Sequence, residues 1–266
     1  TDIIQLQDTE FLTASIDKYC TVSLLLRNDS EIHIFSRDLN KKYKSKDINS
    51  FSYGDDLDLI KCAIKVMNPQ FGFDIETYSD FEKGTGLGGS SAMTGAVIGA
   101  LNYFRNDQHF DPYYISDLSY QAERINMKIE GGWQDQYSTV FGGFNNINFL
   151  KNKVLVNSLR LRRDIINELE YNMMLFRIGK KRDSSSIQKL HKKNIQKLNK
   201  KKSILFKEMR NTTEEIKQEL ISGNLKKFGD LLDRAWNLKK KINSKITNKE
   251  IDHIYHLAKN AGALGV

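Results

Sequence analysis

Cysteine and proline are scarce in this chain, two of each in 266 residues. Cys20 and Cys62 lie far apart, without the close pairing that a zinc site or disulfide framework uses, so a reducing cytoplasm is the compartment that fits them. With so little proline, and glycine gathered in a few places, there is no low-complexity linker and no repeat, and any join between domains must be tight. No uncharged run approaches the ~20 residues that cross a bilayer, and the N-terminus has no signal-peptide pattern. The chain starts at Thr1-Asp2 without methionine and stops in glycine-bearing sequence at Val266, and so reads as a piece of a longer protein.

Acidic residues are also in deficit, 33 against 41 Lys and Arg, for a net charge of +8. That balance favours anionic partners, whether nucleic acid, a membrane surface or small phosphorylated molecules. Much of the excess is lysine in helix-like segments, which a solvated surface explains as well. Hydrophobic content of 39% and charged content of 28% fit a soluble globular protein of one large or two modest domains.

Alternating apolar and polar residues at 11–17, 21–26 and 31–35 predict three short antiparallel strands, with Asn28-Asp29 as a turn. Leu57, Ile60, Ala63, Ile64 and Met67 predict a helix over 55–68, and a strand over 71–78 follows. Small and apolar residues give a tightly packed helix at 91–104, and Asp111-Pro112 starts another that runs to 128. After Gly131-Gly132 come a helical turn and strands at 145–150 and 154–159. Beyond about 165 one apolar strand, 171–178, precedes lysine-rich helices, which sets a domain boundary there.

The segment Lys83-Gly84-Thr85-Gly86-Leu87-Gly88-Gly89-Ser90-Ser91-Ala92 carries the most chemistry. Its glycines let the backbone fold closely around an anion, and the following helix aims unpaired amides and a positive dipole end at the same spot. Gly84, Gly86 and Gly89 satisfy the dinucleotide-binding spacing, but Asn106-Asp107-Gln108-His109 follows the helix, with no apolar strand ending in an acid. A P-loop needs lysine where Ser90 stands, a protein-kinase loop needs valine at Ser91, and the nucleophile elbow is absent. A phosphate cradle of another kind remains.

Gly86-Leu87-Gly88 with Ser90-Ser91-Ala92 resembles the motif Pro-x-x-x-Gly-Leu-Gly-Ser-Ser-Ala of the galactokinase, homoserine kinase, mevalonate kinase and phosphomevalonate kinase (GHMP) superfamily. Glu82 or Lys83 stands where proline is usual, and Gly89 lengthens the loop, as sugar-kinase branches commonly do. Glu123-Arg124 is followed, twelve residues after the glutamate, by Asp135 in Gly131-Gly132-Trp133-Gln134-Asp135-Gln136-Tyr137. That stretch, on through Phe141-Gly142-Gly143-Phe144-Asn145, resembles the D-glycero-D-manno-heptose 7-phosphate kinase branch, and galactokinases share the Asp-Gln pair alone. Ile16-Asp17-Lys18-Tyr19 and Gly179-Lys180-Lys181-Arg182 extend the resemblance over nearly the whole chain.

The resemblance implies an α+β, two-domain fold. Residues 1–165 would form a nucleotide-binding α/β domain of the ribosomal-protein-S5 type, and 166–266 a truncated, helix-rich, ferredoxin-like domain. It implies an ATP-dependent sugar kinase, with ATP phosphates on Gly84, Thr85, Gly86, Leu87, Gly88, Gly89, Ser90 and Ser91. Mg²⁺ would sit on Ser91 and Glu123, with Ser90 as the alternative serine. Asp135 would be the base, with Lys18 keeping it ionised or steadying developing charge. The acceptor site would comprise Asp2, Asp17, Gly132 and Asp135, with Lys180, Lys181 and Arg182 to clamp a distant phosphate. Two family pieces fall outside the sequence: the glycine run that normally ends in Thr-Asp, and a third glycine-rich motif after Val266. The implied partners are a sugar or sugar phosphate and ATP, with no nucleic acid and no membrane. Acceptors such as fucose, another hexose or a small non-sugar alcohol stay open, as does a catalytically silent kinase fold that binds through its basic helices. Eleven Lys and Arg with one acid, Asp183, over 180–207 read as a solvated helix face. His253 and His256 read as a surface pair, for want of a third ligand.

Overall fold

A computed structural model describes residues 9–105, 109–176, 178 and 200–265. They form two compact units, one of Ser15–Gly142 and one of the described parts of Thr1–Ala14 and Gly143–Val266. The division does not fall at residue 165, because β1 (Thr9–Ala14) pairs antiparallel with β6 (Phe144–Leu150), which in turn pairs with β7 (Lys153–Ser158). The first described strand therefore belongs with the C-terminal part of the chain.

The unit Ser15–Gly142 holds a four-stranded sheet in the order β2 (Cys20–Leu26), β5 (Phe73–Ser79), β3 (Ile32–Ser36), β4 (Lys41–Ser45). The three leading strands are thus not an antiparallel run: β1 lies in the other sheet, and β5 separates β2 from β3, pairing antiparallel with the former and parallel with the latter. The turn after β2 explains the insertion. Arg27 N bonds to Gly72 O and Phe73 N to Glu31 O, both at 3.0 Å, so the turn's backbone is spent on the start of β5. Gly72 is needed there, since a Cβ would lie 2.1 Å from Asp29 O.

The inner face of this sheet, Ile32, Ile34, Phe73 and Ile75, packs with α1 (Asp58–Met67) and α2 (Gly89–Tyr103) around Ile64, Val97, Ile98 and Leu101. The helix α1 buries the predicted Leu57–Met67 stripe and stops at left-handed Asn68, before Pro69. Asp111 caps α3 (Pro112–Tyr120), accepting from Tyr114 N at 2.9 Å with proline at the first position. The predicted plain helix to 128 instead widens into a π-helical turn, Gln121–Asn126. Next comes α4 (Gln134–Phe141), which approaches α2 closely at Gly95, where a Cβ would lie 3.1 Å from a methyl of Val140.

In the other unit, α5 (Arg163–Asn172), α6 (Lys200–Ser222), α7 (Leu225–Ile242) and α8 (Lys249–Asn260) follow the three-stranded sheet. The apolar strand expected at 171–178 is not formed in its described residues. Tyr171 and Asn172 end α5, whose Ile165 and Leu169 turn inward onto Leu220, and the exposed residues 173–176 pair with no strand. Apolar content without a partner strand did not suffice.

Candidate active site

Delivered by β5, the glycine-rich loop is fastened at its base. Ser79 Oγ donates to Phe81 O (2.8 Å), and Tyr19 and Asp80 exchange two 3.0 Å bonds. Gly84, Gly86 and Gly88 have φ of 87°, 79° and 73°, the left-handed region that favours glycine. Around Gly86 the space is open, with nothing within 4 Å of a notional Cβ. At Gly89 the reverse holds, since a Cβ would lie 2.5 Å from the Phe81 ring. The first bond of α2 runs from Ala92 N to Gly88 O (2.9 Å), so the amides of Gly89, Ser90 and Ser91 precede the helical ladder and face the loop with the dipole's positive end. Backbone amides so placed can receive an anion.

Glu123, on the π-helical turn, is completely buried. It accepts from Ser90 Oγ at 2.7 Å on one oxygen and from Gln136 Nε2 at 2.9 Å on the other, and Arg124 Nη1 stands 3.6 Å from the Ser90-bonded oxygen. A buried carboxylate so placed brings oxygen ligands to the amino end of α2. Asp135, in the first turn of α4, is open to solvent at its surface. The protein mass around it nevertheless pushes its carboxyl above the usual range, with Arg124 pulling it down and Glu123 pushing it up.

Arg124 also donates from Nε to Gly132 O at 3.3 Å, and a Cβ at Gly131 would lie 2.6 Å from its guanidinium carbon. Gly131 thus makes room for the guanidinium beside Glu123, and Gly132 offers it a carbonyl. Trp133, just ahead of α4, stacks on Tyr120 with ring centres 3.9 Å apart and 14° between planes. Because Tyr120 precedes Glu123 by one turn, the stack pins the two acid-bearing segments together.

The predicted residues Gly84 to Ser91, Glu123, Gly132 and Asp135 all lie in one unit. Of the two serines, Ser90 touches Glu123, and Ser91 is buried with its hydroxyl unpartnered. That hydroxyl and the Glu123 carboxylate are hard oxygen donors of the kind that would suit Mg²⁺. Asp17 and Lys18 lie on an exposed turn, where Lys18 N bonds to Ile16 O at 2.8 Å. The cation whose field reaches Asp135 is that of Arg124. Asp2, Lys180, Lys181 and Arg182 lie outside the described residues, as does most of the basic stretch 180–207. Arg124 and Gln136 were not assigned from sequence, and their one signal was adjacency to Glu123 and Asp135. His253 and His256 are both exposed on α8. Among the described residues no group of three or more His, Cys, Asp or Glu could hold a metal, and no helix is long and apolar enough to cross a membrane.

A glycine loop feeding a helix, with two acids downstream on an α+β unit, defines a class of phosphoryl-transfer enzymes, and comparison with known proteins agrees. The model of the GHMP kinases N terminal domain matches residues 58–143. The D-glycero-alpha-D-manno-heptose 7-phosphate kinase of Campylobacter jejuni is 35% identical over 263 residues, 95% of this chain and 75% of that protein. The crystal structure of a D-glycero-D-manno-heptose 1-phosphate kinase from Bacteroides thetaiotaomicron matches with a TM-score of 0.73 and 26% identity, over 97% of this chain and 76% of that one. The mevalonate kinase of Methanococcus jannaschii, 22% identical over 96% of this chain and 78% of its own, shares the fold with a TM-score of 0.70. The chain belongs to the GHMP kinase family.

Proposed function

We propose that this chain transfers the γ-phosphoryl group of ATP to a sugar hydroxyl with the help of Mg²⁺, and that its acceptor is the anomeric hydroxyl of D-glycero-D-manno-heptose 7-phosphate. The acceptor rests on the C. jejuni relative and on the resemblance of residues 131–145 to that branch. The observation that carries the chemistry is the buried Glu123, hydrogen-bonded at 2.7 Å to Ser90 at the amino end of α2, with Asp135 close enough for its charge to be felt.

Phosphoryl transfer asks for charge neutralisation and alignment more than for covalent help. Backbone amides from Gly84 to Ser91 hold the nucleotide phosphates, and Glu123 with Ser90 or Ser91 holds Mg²⁺, which supplies charge neutralisation when bound. Asp135 takes the proton of the attacking hydroxyl. A carboxyl displaced upward is a better base than an ordinary one, and an anomeric hydroxyl is more acidic than a simple alcohol, so the two match. In this reading Asp2, Asp17 and Gly132 border the acceptor, Lys18 steadies charge at its edge, and Lys180 and Arg182 take the distant phosphate. Free Cys20 and Cys62 suit a cytoplasmic enzyme.

The test is ADP release across a panel of free and phosphorylated sugars. Heptose 7-phosphate is expected to give the highest kcat/KM, and Asp135→Asn to lower kcat by about 100-fold or more with little change in ATP KM. Undiminished turnover in Asp135→Asn removes that residue as the base.

A further inference from the structure

We infer that Gln136 is a positioning residue: its carboxamide locks the Glu123 carboxylate in the orientation that receives a divalent cation and ties it to Asp135. The inference rests on the reading of Glu123 as the cation-holding acid. Both carboxylate oxygens are engaged, but by groups of different character. Ser90 is exposed, so the hydroxyl that reaches one oxygen can turn to water or to a cation without loss. Gln136 is completely buried, and its Nε2 donates at 2.9 Å to the other oxygen, out of reach of solvent. A donor that has no water to fall back on holds its acceptor more firmly than one that has. Ser90 is therefore the exchangeable partner and Gln136 the fixed one.

Geometry extends this hold. Gln136 follows Asp135 directly in α4, and the close approach of α4 to α2 at Gly95 keeps that helix against the amino end where Ser90 lies. A shift of Glu123 is passed through Gln136 to the backbone that carries the base. Groups that orient a metal ligand without touching the metal typically change metal affinity or activity by 10–100-fold when removed.

The experiment titrates Mn²⁺, a paramagnetic stand-in for Mg²⁺, into the protein with ADP and reads free Mn²⁺ by electron paramagnetic resonance. Three proteins are compared: the parent, Glu123→Gln and Gln136→Met, the last of which keeps length and removes both polar atoms. Gln136→Met is expected to weaken Mn²⁺ binding by about 10-fold or more and to lower kcat, with the KM for sugar unchanged. Affinity within twofold of the parent, while Glu123→Gln loses it, overturns the inference and leaves the reading of Glu123 intact. If Glu123→Gln itself binds Mn²⁺ like the parent, that reading fails and the inference with it. Should Gln136→Met not fold, Gln136→Asn keeps the amide but shortens its reach, and the same loss is expected.

Discussion

Arg124 acts electrostatically on both acids of the site. Its guanidinium lies 3.6 Å from Glu123, spends one N–H on Gly132 O, and lowers an Asp135 carboxyl that desolvation by the surrounding protein has raised. A positive neighbour favours the ionised form, so removing the cation must raise the Asp135 pKa further. The base proposed at Asp135 works only when ionised, so activity through it is lost as pH falls through its pKa. Arg124→Met should therefore move the acidic limb of the kcat/KM profile to higher pH, whereas Lys18→Met, on its exposed turn, should leave that limb in place. A limb unmoved in Arg124→Met shows that the guanidinium does not govern Asp135. By contrast, buried Lys61, bonded to Asp55 at 2.7 Å, Asp58 at 3.1 Å and Ser52 O at 2.8 Å, is a satisfied cation within the fold and has no such duty.

Among the elements, the glycine loop and α2 act as one part, and Gly89 is their joint. A side chain there would press on Phe81, whose ring edge would lie 2.5 Å from the new Cβ. Gly89→Ala should cost about 1–3 kcal/mol of stability by overpacking and weaken ATP binding, and Phe81→Leu in the same protein should recover most of both. Thermal melting and nucleotide titration of the single and double variants decide it, and purely additive losses would refute the contact. This joint shows what the sequence made legible. The loop and its helix were readable because left-handed glycines and a helix start have local signatures, and α1 and α3 were readable because Leu57, Ile60, Ile64 and the Asp111-Pro112 start are local too. Pairing was not local, so nothing in 21–35 foretold that β5 would enter between β2 and β3. The strand β4, Lys-Lys-Tyr-Lys-Ser, offered one apolar residue, and the helix α5 was passed over for the apolar run that ends it. In the site, Glu123 and Asp135 stood out through the resemblance of their neighbours, Arg124 and residues 131–145, to the kinase family. Which serine touches Glu123 depends on the rotation of α2, and Arg124 and Gln136 gained their meaning from the packing that places them.

At the scale of the whole chain, the first described strand belongs to a unit whose remaining residues begin at Gly143. From Thr9↔Phe149 to Ala14↔Phe144, six residue pairs hold β1 to β6. Phe11 meets Phe149 edge-on at 5.7 Å, Leu12 packs with Ile165, Leu169 and Leu220, and Glu10 pairs with Lys217 of α6 at 3.2 Å. A charge at Leu12 would have to leave this apolar cluster or be buried unpaired, and either outcome loosens α5 and α6 along with the sheet. In the other unit the core is complete within Ser15–Gly142, from Ile32 and Ile34 through Phe73 to Val97 and Leu101. Units with separate cores open separately, each with its own free energy. In native-state hydrogen exchange, Leu12→Asp should therefore lower the protection of β6 and α5 by about 2 kcal/mol, roughly 30-fold in exchange rate, while the amides of β3 and β5 keep theirs. Equal losses in both sets would mean that the two cores melt as one, and the division of the chain into two cooperative units would then be wrong.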